Sequence, residues 1–129
     1  AGYVHAMHDA TEGGLTATLN EIAEASKVGF RIDFAKVPIL KEALKLQKHF
    51  DLSDEQLLSM SSTGTIIASV SAGKESHVRR MIEKDHKLRA SLLGTFTQTK
   101  NRILTVAGKD NSFPEEAQDP YERILSAKL

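Results

Sequence analysis

Residues 3–7 read Tyr3-Val4-His5-Ala6-Met7, residues 8–14 read His8-Asp9-Ala10-Thr11-Glu12-Gly13-Gly14, and Leu15, Leu19, Ile22 and Ala23 follow at i, i+4, i+7 and i+8. The first run is apolar and β-compatible, the last spacing is one face of an α-helix, and a polar, glycine-containing turn separates them. The segment therefore reads as strand, loop, helix, with the helix over residues 13–26 and Gly29 as its stop. Beyond it, Phe30-Arg31-Ile32-Asp33-Phe34 alternates apolar and polar residues, the mark of a half-buried strand. Pro38 opens a second helix with the stripe Leu40, Ala43, Leu44 and Gln47. Ser53-Asp54-Glu55-Gln56 has the form of a capping box and predicts a short helix to Met60. Residues 65–71 predict a buried strand, and Val78, Met81 and Ile82 a helix over 74–85. Residues 88–97 and 103–107 predict two further strands with a polar turn at Lys100-Asn101. Residues 109–119 are polar and acidic and contain Pro114, which predicts an exposed loop, and Asp119-Pro120 caps a last helical turn over 121–125.

Strands interleaved with helices predict an α/β (α+β) layered domain, a sheet covered by helices, and the closing pair of strands makes that sheet mixed. The chain of 129 residues is one domain's length and long enough to bury a core without staples. Lys plus Arg and Asp plus Glu number 17 each, which argues against nucleic acid or an anionic membrane as partner. The absence of cysteine excludes disulfides, thiolate metal sites and cysteine nucleophiles within these residues. No run approaches the apolar length of a membrane span, so a soluble, cytoplasmic domain is the expectation. Tyr3 begins the first strand with almost no lead-in, which suggests a piece of a longer protein.

The loop at residues 8–14 is the segment suited to chemistry. A strand-to-helix turn exposes the free N–H groups of the helix's first turn, which with the helix dipole form an anion site, phosphate being the usual anion. Gly13 and Gly14 let a ligand approach the backbone, and Thr11 offers a hydroxyl as cap or as phosphate donor. Asp9 and Glu12 are negative beside that site. Either a Mg²⁺ bridges carboxylate and phosphate, or the carboxylates turn away and favour the helix N-terminus. Elsewhere the chemistry is sparse. His5 and His8 alternate faces along a strand, and His77 and His86 are not at the i, i+4 spacing of a helical metal site. Ser61, Ser62 and Thr63 read as polar turn residues, and the basic residues of 74–87 as a solvated face. Aromatic residues are 5% of the chain, too few for a nucleic-acid stacking platform.

The loop is followed by Leu19-Asn20-Glu21-Ile22-Ala23-Glu24-Ala25-Ser26, then Val28-Gly29-Phe30, then Val37-Pro38-Ile39. This series resembles the C-terminal domain of the aminoimidazole ribonucleotide (AIR) synthetase superfamily. The superfamily includes the purine-pathway synthetase, selenophosphate synthetase, thiamine-monophosphate kinase and a hydrogenase-maturation protein that dehydrates a thiocarboxamide. The hydrogenase-maturation type is nearest in flavour, with its D-x-T-R-G-G-L, L-N-E-I-A, S-x-V-G and I-P-[IV] series. Residues 57–65 and 92–96 resemble the family's later turn and strand, so the resemblance covers residues 4–108.

The resemblance implies an AIR synthetase-type C-terminal domain over 1–108, with partial ferredoxin-like topology, an exposed loop and tail over 109–129, and an N-terminal ATP-binding domain outside this chain. It implies ATP and Mg²⁺ in a cleft between the two domains, and a homodimer of the intact protein. By motif match, Asp9, Thr11, Gly13 and Gly14 bind nucleotide or phosphate, with Asp9 also facing Mg²⁺. His8, Glu12, Asn20, Glu21, Ser62, Thr63 and Gly64 are its further cleft candidates. The implied function is half of an ATP-dependent enzyme that activates a carbonyl or similar oxygen of a small molecule. On that reading Gly14→Val abolishes activity with little loss of folding. Two departures support an alternative, a ligand-binding or assembly module that keeps the fold without the chemistry. Glu12 stands where the hydrogenase-maturation members carry Arg, and the cysteine that ends those members has no counterpart here.

Overall fold

A computed structural model describes residues 2–10, 13–60, 65–85, 88–117 and 120. The elements in order are β1 (Val4–Asp9), α1 (Gly14–Ser26), β2 (Gly29–Asp33), a 3-10 turn (Phe34–Lys36), α2 (Lys41–Phe50), α3 (Asp54–Leu58), β3 (Ile66–Val70), α4 (Glu75–Asp85), β4 (Gly94–Thr97), β5 (Arg102–Val106) and β6 (Lys109–Ser112). The strands form two sheets. β1 and β3 make an antiparallel ribbon, and β4-β2-β5-β6 make a four-stranded mixed sheet in which only β2 and β5 run parallel. The mixed α+β architecture agrees with the sequence pattern.

The core lies between α1 and the larger sheet. Leu19, Ile22 and Ala23 are the buried apolar stripe of α1, and they cluster with Phe30 and Ile32 of β2, Leu104 of β5, and Ala10, Leu58 and Ile67. Phe30 is 1% exposed and takes edge-on contacts from Phe96 and Phe113 at centroid distances of 6.4 and 4.8 Å. A smaller cluster of Leu52, Leu57 and Met60 packs against Ile39, Ala43, Leu46 and Phe50. The capping box forms as expected: Ser53 Oγ accepts from the Gln56 N–H at 3.1 Å, and Gln56 Oε1 accepts from the Ser53 N–H at 3.0 Å.

Several expectations change. The stop of α1 is Lys27, in the left-handed region at φ 56°, with Val28 and Lys27 N–H groups returning to Ala23 and Glu24 carbonyls in a Schellman pattern. Gly29 instead starts β2, where the Thr99 and Asn101 carbonyls fill the space a Cβ would need. The packed stripe of α2 is Ala43, Leu46 and Phe50, each half-buried, while Leu40 and Leu44 are 70% and 44% exposed. In β3 only Ile67 is buried. β4 is limited to Gly94–Thr97 rather than starting at 88. The stretch read as an exposed loop contains β6, which pairs with β5 through a two-residue turn, Ala107 at φ 51° and Gly108 at φ 79°. All four β6 side chains are exposed, but Phe113 directly after them is 3% exposed in the core. The final turn expected over 121–125 lies outside the described residues. No helix among the described residues is long and apolar enough to cross a membrane.

Candidate functional site

β1 delivers His8 and Asp9 to the mouth of the loop, both exposed. Their register is set by β3, with His8 opposite Ile67 and Asp9 opposite Ile66, and by the Ala10 N–H, which donates to the Thr65 carbonyl at 2.9 Å. Ala10 is buried, so the chain turns inward immediately after Asp9. Gly13 is the N-cap of α1, in the left-handed region at φ 74°. Gly13 supplies no side-chain cap to this helix, and the first turn holds no acidic residue. The N-terminal amides of α1 therefore lack the side-chain acceptor that a Ser, Thr or Asp cap would supply. Thr18 ties the two ends of the loop together: its hydroxyl donates to the Gly14 carbonyl at 3.0 Å and lies 3.5 Å from the Asp9 carbonyl oxygen.

The glycines have a second physical reason. Gly14 sits at φ 58°, and a Cβ there would lie 2.6 Å from the Leu58 carbonyl oxygen and closer still to that of Met60. A Cβ on Gly13 would meet the Ala17 Cβ at 2.6 Å and the Ala117 Cβ at 3.0 Å. The end of α3 and the segment after β6 thus form the floor of the loop. The expectation that Gly14→Val spares folding is corrected, because the added side chain meets backbone that cannot swing away.

Asn20 also differs from the cleft role its motif suggested. Its Nδ2 donates to the Pro114 and Glu115 carbonyls at 2.8 and 3.3 Å, and its Oδ1 accepts from Arg102 Nη1 at 3.2 Å. Arg102 Nη2 in turn pairs with Glu24 at 2.8 Å. The carboxamide is a clamp that fastens the post-β6 segment onto α1. Glu21 is exposed on the same helix with no described link to the loop. Thr11, Glu12, Ser62, Thr63 and Gly64 lie outside the described residues, although Met60 against Gly14 brings the lead-in to 61–64 beside the loop. Sequence reasoning missed Thr16 and Ser59, buried hydroxyls 3.3 Å apart that join α1 to α3 beneath the loop. A buried Thr on a helical stripe was the only signal. A nearby surface hollow is lined by Glu55, Ser59, Pro114, Glu115 and Glu116. Its three carboxylates repel a phosphate. Among the described residues no three His, Asp or Glu side chains cluster as a metal site.

A sequence profile described as the AIR synthase related protein, C-terminal domain, matches residues 1–107. The chain belongs to this family. Over 68 residues it is 38% identical to a carbamoyl dehydratase HypE of Rhizobium leguminosarum bv. viciae, a match covering 53% of this chain and 19% of that protein. The crystal structure of E. coli HypE, a hydrogenase maturation protein, shares the fold at a TM-score of 0.81 and 24% identity, over 95% of this chain and 38% of that one. A HypE solved in complex with ATP shares it at 0.75 and 20% identity, over 91% of this chain and 37% of that one. This AIR synthase-related domain therefore spans well under half the length of these relatives.

Proposed function

We propose that this AIR synthase-related domain forms the C-terminal wall of a cleft in an ATP-dependent protein, and that its loop from Asp9 to Gly14 meets a phosphate of nucleotide or substrate there. The supporting observation is the N-terminus of α1, whose N-cap Gly13 has no side chain to cap it and which follows β1 and its exposed Asp9. Such a terminus carries roughly half a positive charge and unpaired N–H donors, which suits an anion. The HypE relative solved with ATP supports a nucleotide as that anion. Mg²⁺ fits the donor set, because that cation is held by one or two carboxylates together with phosphate oxygens and water. Asp9 would supply this chain's carboxylate, and a preceding N-terminal domain the remaining acidic groups. When bound, ATP supplies the phosphoryl group that turns a substrate oxygen into a leaving group. This chain's own residues orient the phosphate through the α1 amides, add the Thr11 hydroxyl, and hold the loop rigid on the floor made by Leu58, Met60 and Ala117. The intact protein would be a homodimer, as the superfamily resemblance implies.

The test is Asp9→Asn in the intact protein. Mg²⁺-dependent ATP turnover should fall by about tenfold or more while the melting temperature stays put, because Asp9 is exposed. Wild-type turnover in this variant refutes the assignment. The second reading, a binding module without chemistry, rests on Glu12. It predicts that the intact protein binds nucleotide without consuming it.

A further inference from the structure

The β1–β3 ribbon has two unlike faces. In an antiparallel pair, directly opposed residues share a face. His8 with Ile67 points one way, and Ile67 joins the core. Met7 with Ala68 and Asp9 with Ile66 point the other way, where Met7 is 61% and Ile66 55% exposed. The opposed residues of that face are apolar apart from Asp9, β1 also exposes His5, whose Nε2 lies 2.8 Å from Ser71 Oγ, and none of these is a Lys or Arg that would keep the face in solvent. The exposed leucines of α2 differ in this respect, since Leu40 and Leu44 are interspersed with Lys41, Lys45 and Lys48. A bare two-stranded ribbon is also marginal as a free-standing sheet.

We infer that the outward face formed by Met7, Ala68 and Ile66 around Asp9 is the surface on which a preceding domain of the intact protein packs. The inference rests on the reading above that such a domain exists. The length outside this chain supports the choice of occupant. The chain covers only 37–38% of the HypE chains it matches, and the matching family describes a C-terminal domain, so the remainder of such a protein precedes it. Chain arriving from that side enters β1 itself, at Val4, three residues from Met7. With the preceding domain on this face, Asp9 lies at its loop-side margin, where the cleft would open.

The experiment uses the intact protein, its Met7→Lys/Ile66→Lys variant, an Ile66→Thr variant that keeps the β-branch, and a control, Thr95→Lys, at an exposed strand position of β4. Limited proteolysis between the domains and hydrogen exchange of the β1 and β3 amides are the readouts. The double variant should be cut about tenfold faster and lose protection in the ribbon, Ile66→Thr should shift the same way by less, and Thr95→Lys should match wild type. Wild-type cleavage and protection in both ribbon variants overturn the inference. So does a change in oligomeric state by light scattering with cleavage unaltered, which would assign the face to a second copy, or an intact protein with no domain ahead of Val4. ATP turnover in the same preparations separates the two readings. Lost docking with some turnover retained supports the interface on its own, and docking intact in a protein that never turns over ATP leaves the interface standing while the catalytic reading fails.

Discussion

Gly14 and Asp9 are five residues apart and behave as opposites. At Gly14 the positive φ and the Leu58 and Met60 carbonyls leave no room for a side chain. Even Gly14→Ala should cost at least about 2 kcal/mol, through left-handed strain and displacement of α3's end. Chemical denaturation of this domain checks it, and an unchanged midpoint would mean that the loop floor yields. Asp9 is exposed, so Asp9→Asn should leave stability within about 0.5 kcal/mol and act on turnover alone. The sequence marked both residues as one motif, yet nothing in the local spacing distinguishes a glycine that admits a ligand from one that admits its own backbone. That distinction comes from residues 58–60, more than forty positions away.

At the level of elements, β6 is held by β5 and by one charged contact. Asp110 accepts from Arg31 Nη1 at 2.7 Å and from the Thr105 hydroxyl at 2.8 Å. The Arg31 hydrogen bond first, and that of Thr105 second, hold the Asp110 carboxyl below its ordinary value of 3.8. A carboxylate with a depressed folded pKa stabilises the fold above its unfolded value, and that contribution is lost as pH falls through the folded value. Amide exchange in β6 should therefore rise in Asp110→Asn at neutral pH, and the difference from wild type should vanish well below pH 3.8. The stabilisation is small, because the pair is half exposed to solvent. The strand itself was illegible because Lys109, Asp110, Asn111 and Ser112 have no apolar alternation, and because Ala107 is an unusual residue for a left-handed turn position. Elements with a strong local code were legible: the stripe of α1 and the capping box of α3 lie where the spacing put them. In α2 two overlapping stripes share Ala43, and only the Leu52, Leu57 and Met60 cluster shows which one packs inward.

Across the whole molecule, side chains of β2 and α1 reach the segment after β6 from far along the chain. Phe113 packs on Phe30 from 83 positions away, and Asn20 fastens Pro114 and Glu115. Phe113→Ala should destabilise by about 3–5 kcal/mol through the cavity it leaves, measurable by urea unfolding. Asn20→Ala should cost about 1–3 kcal/mol by orphaning two carbonyls and one Arg102 donor, and should release the segment to protease. The family resemblance ends near residue 108, so a reading guided by it discards the residues that finish the core.

The parallel pairing of β2 with β5 sets Phe30 opposite Arg102 and Ile32 opposite Leu104. A ribosome making this protein releases β2 some seventy residues before its neighbour exists. Until Phe113 has cleared the exit tunnel, Phe30 has no lid, and the nascent chain carries an uncovered aromatic and an unpaired strand edge. Slow translation through residues 34–101 would lengthen that exposure, whereas a pause placed after Phe113 emerges would allow the core to close.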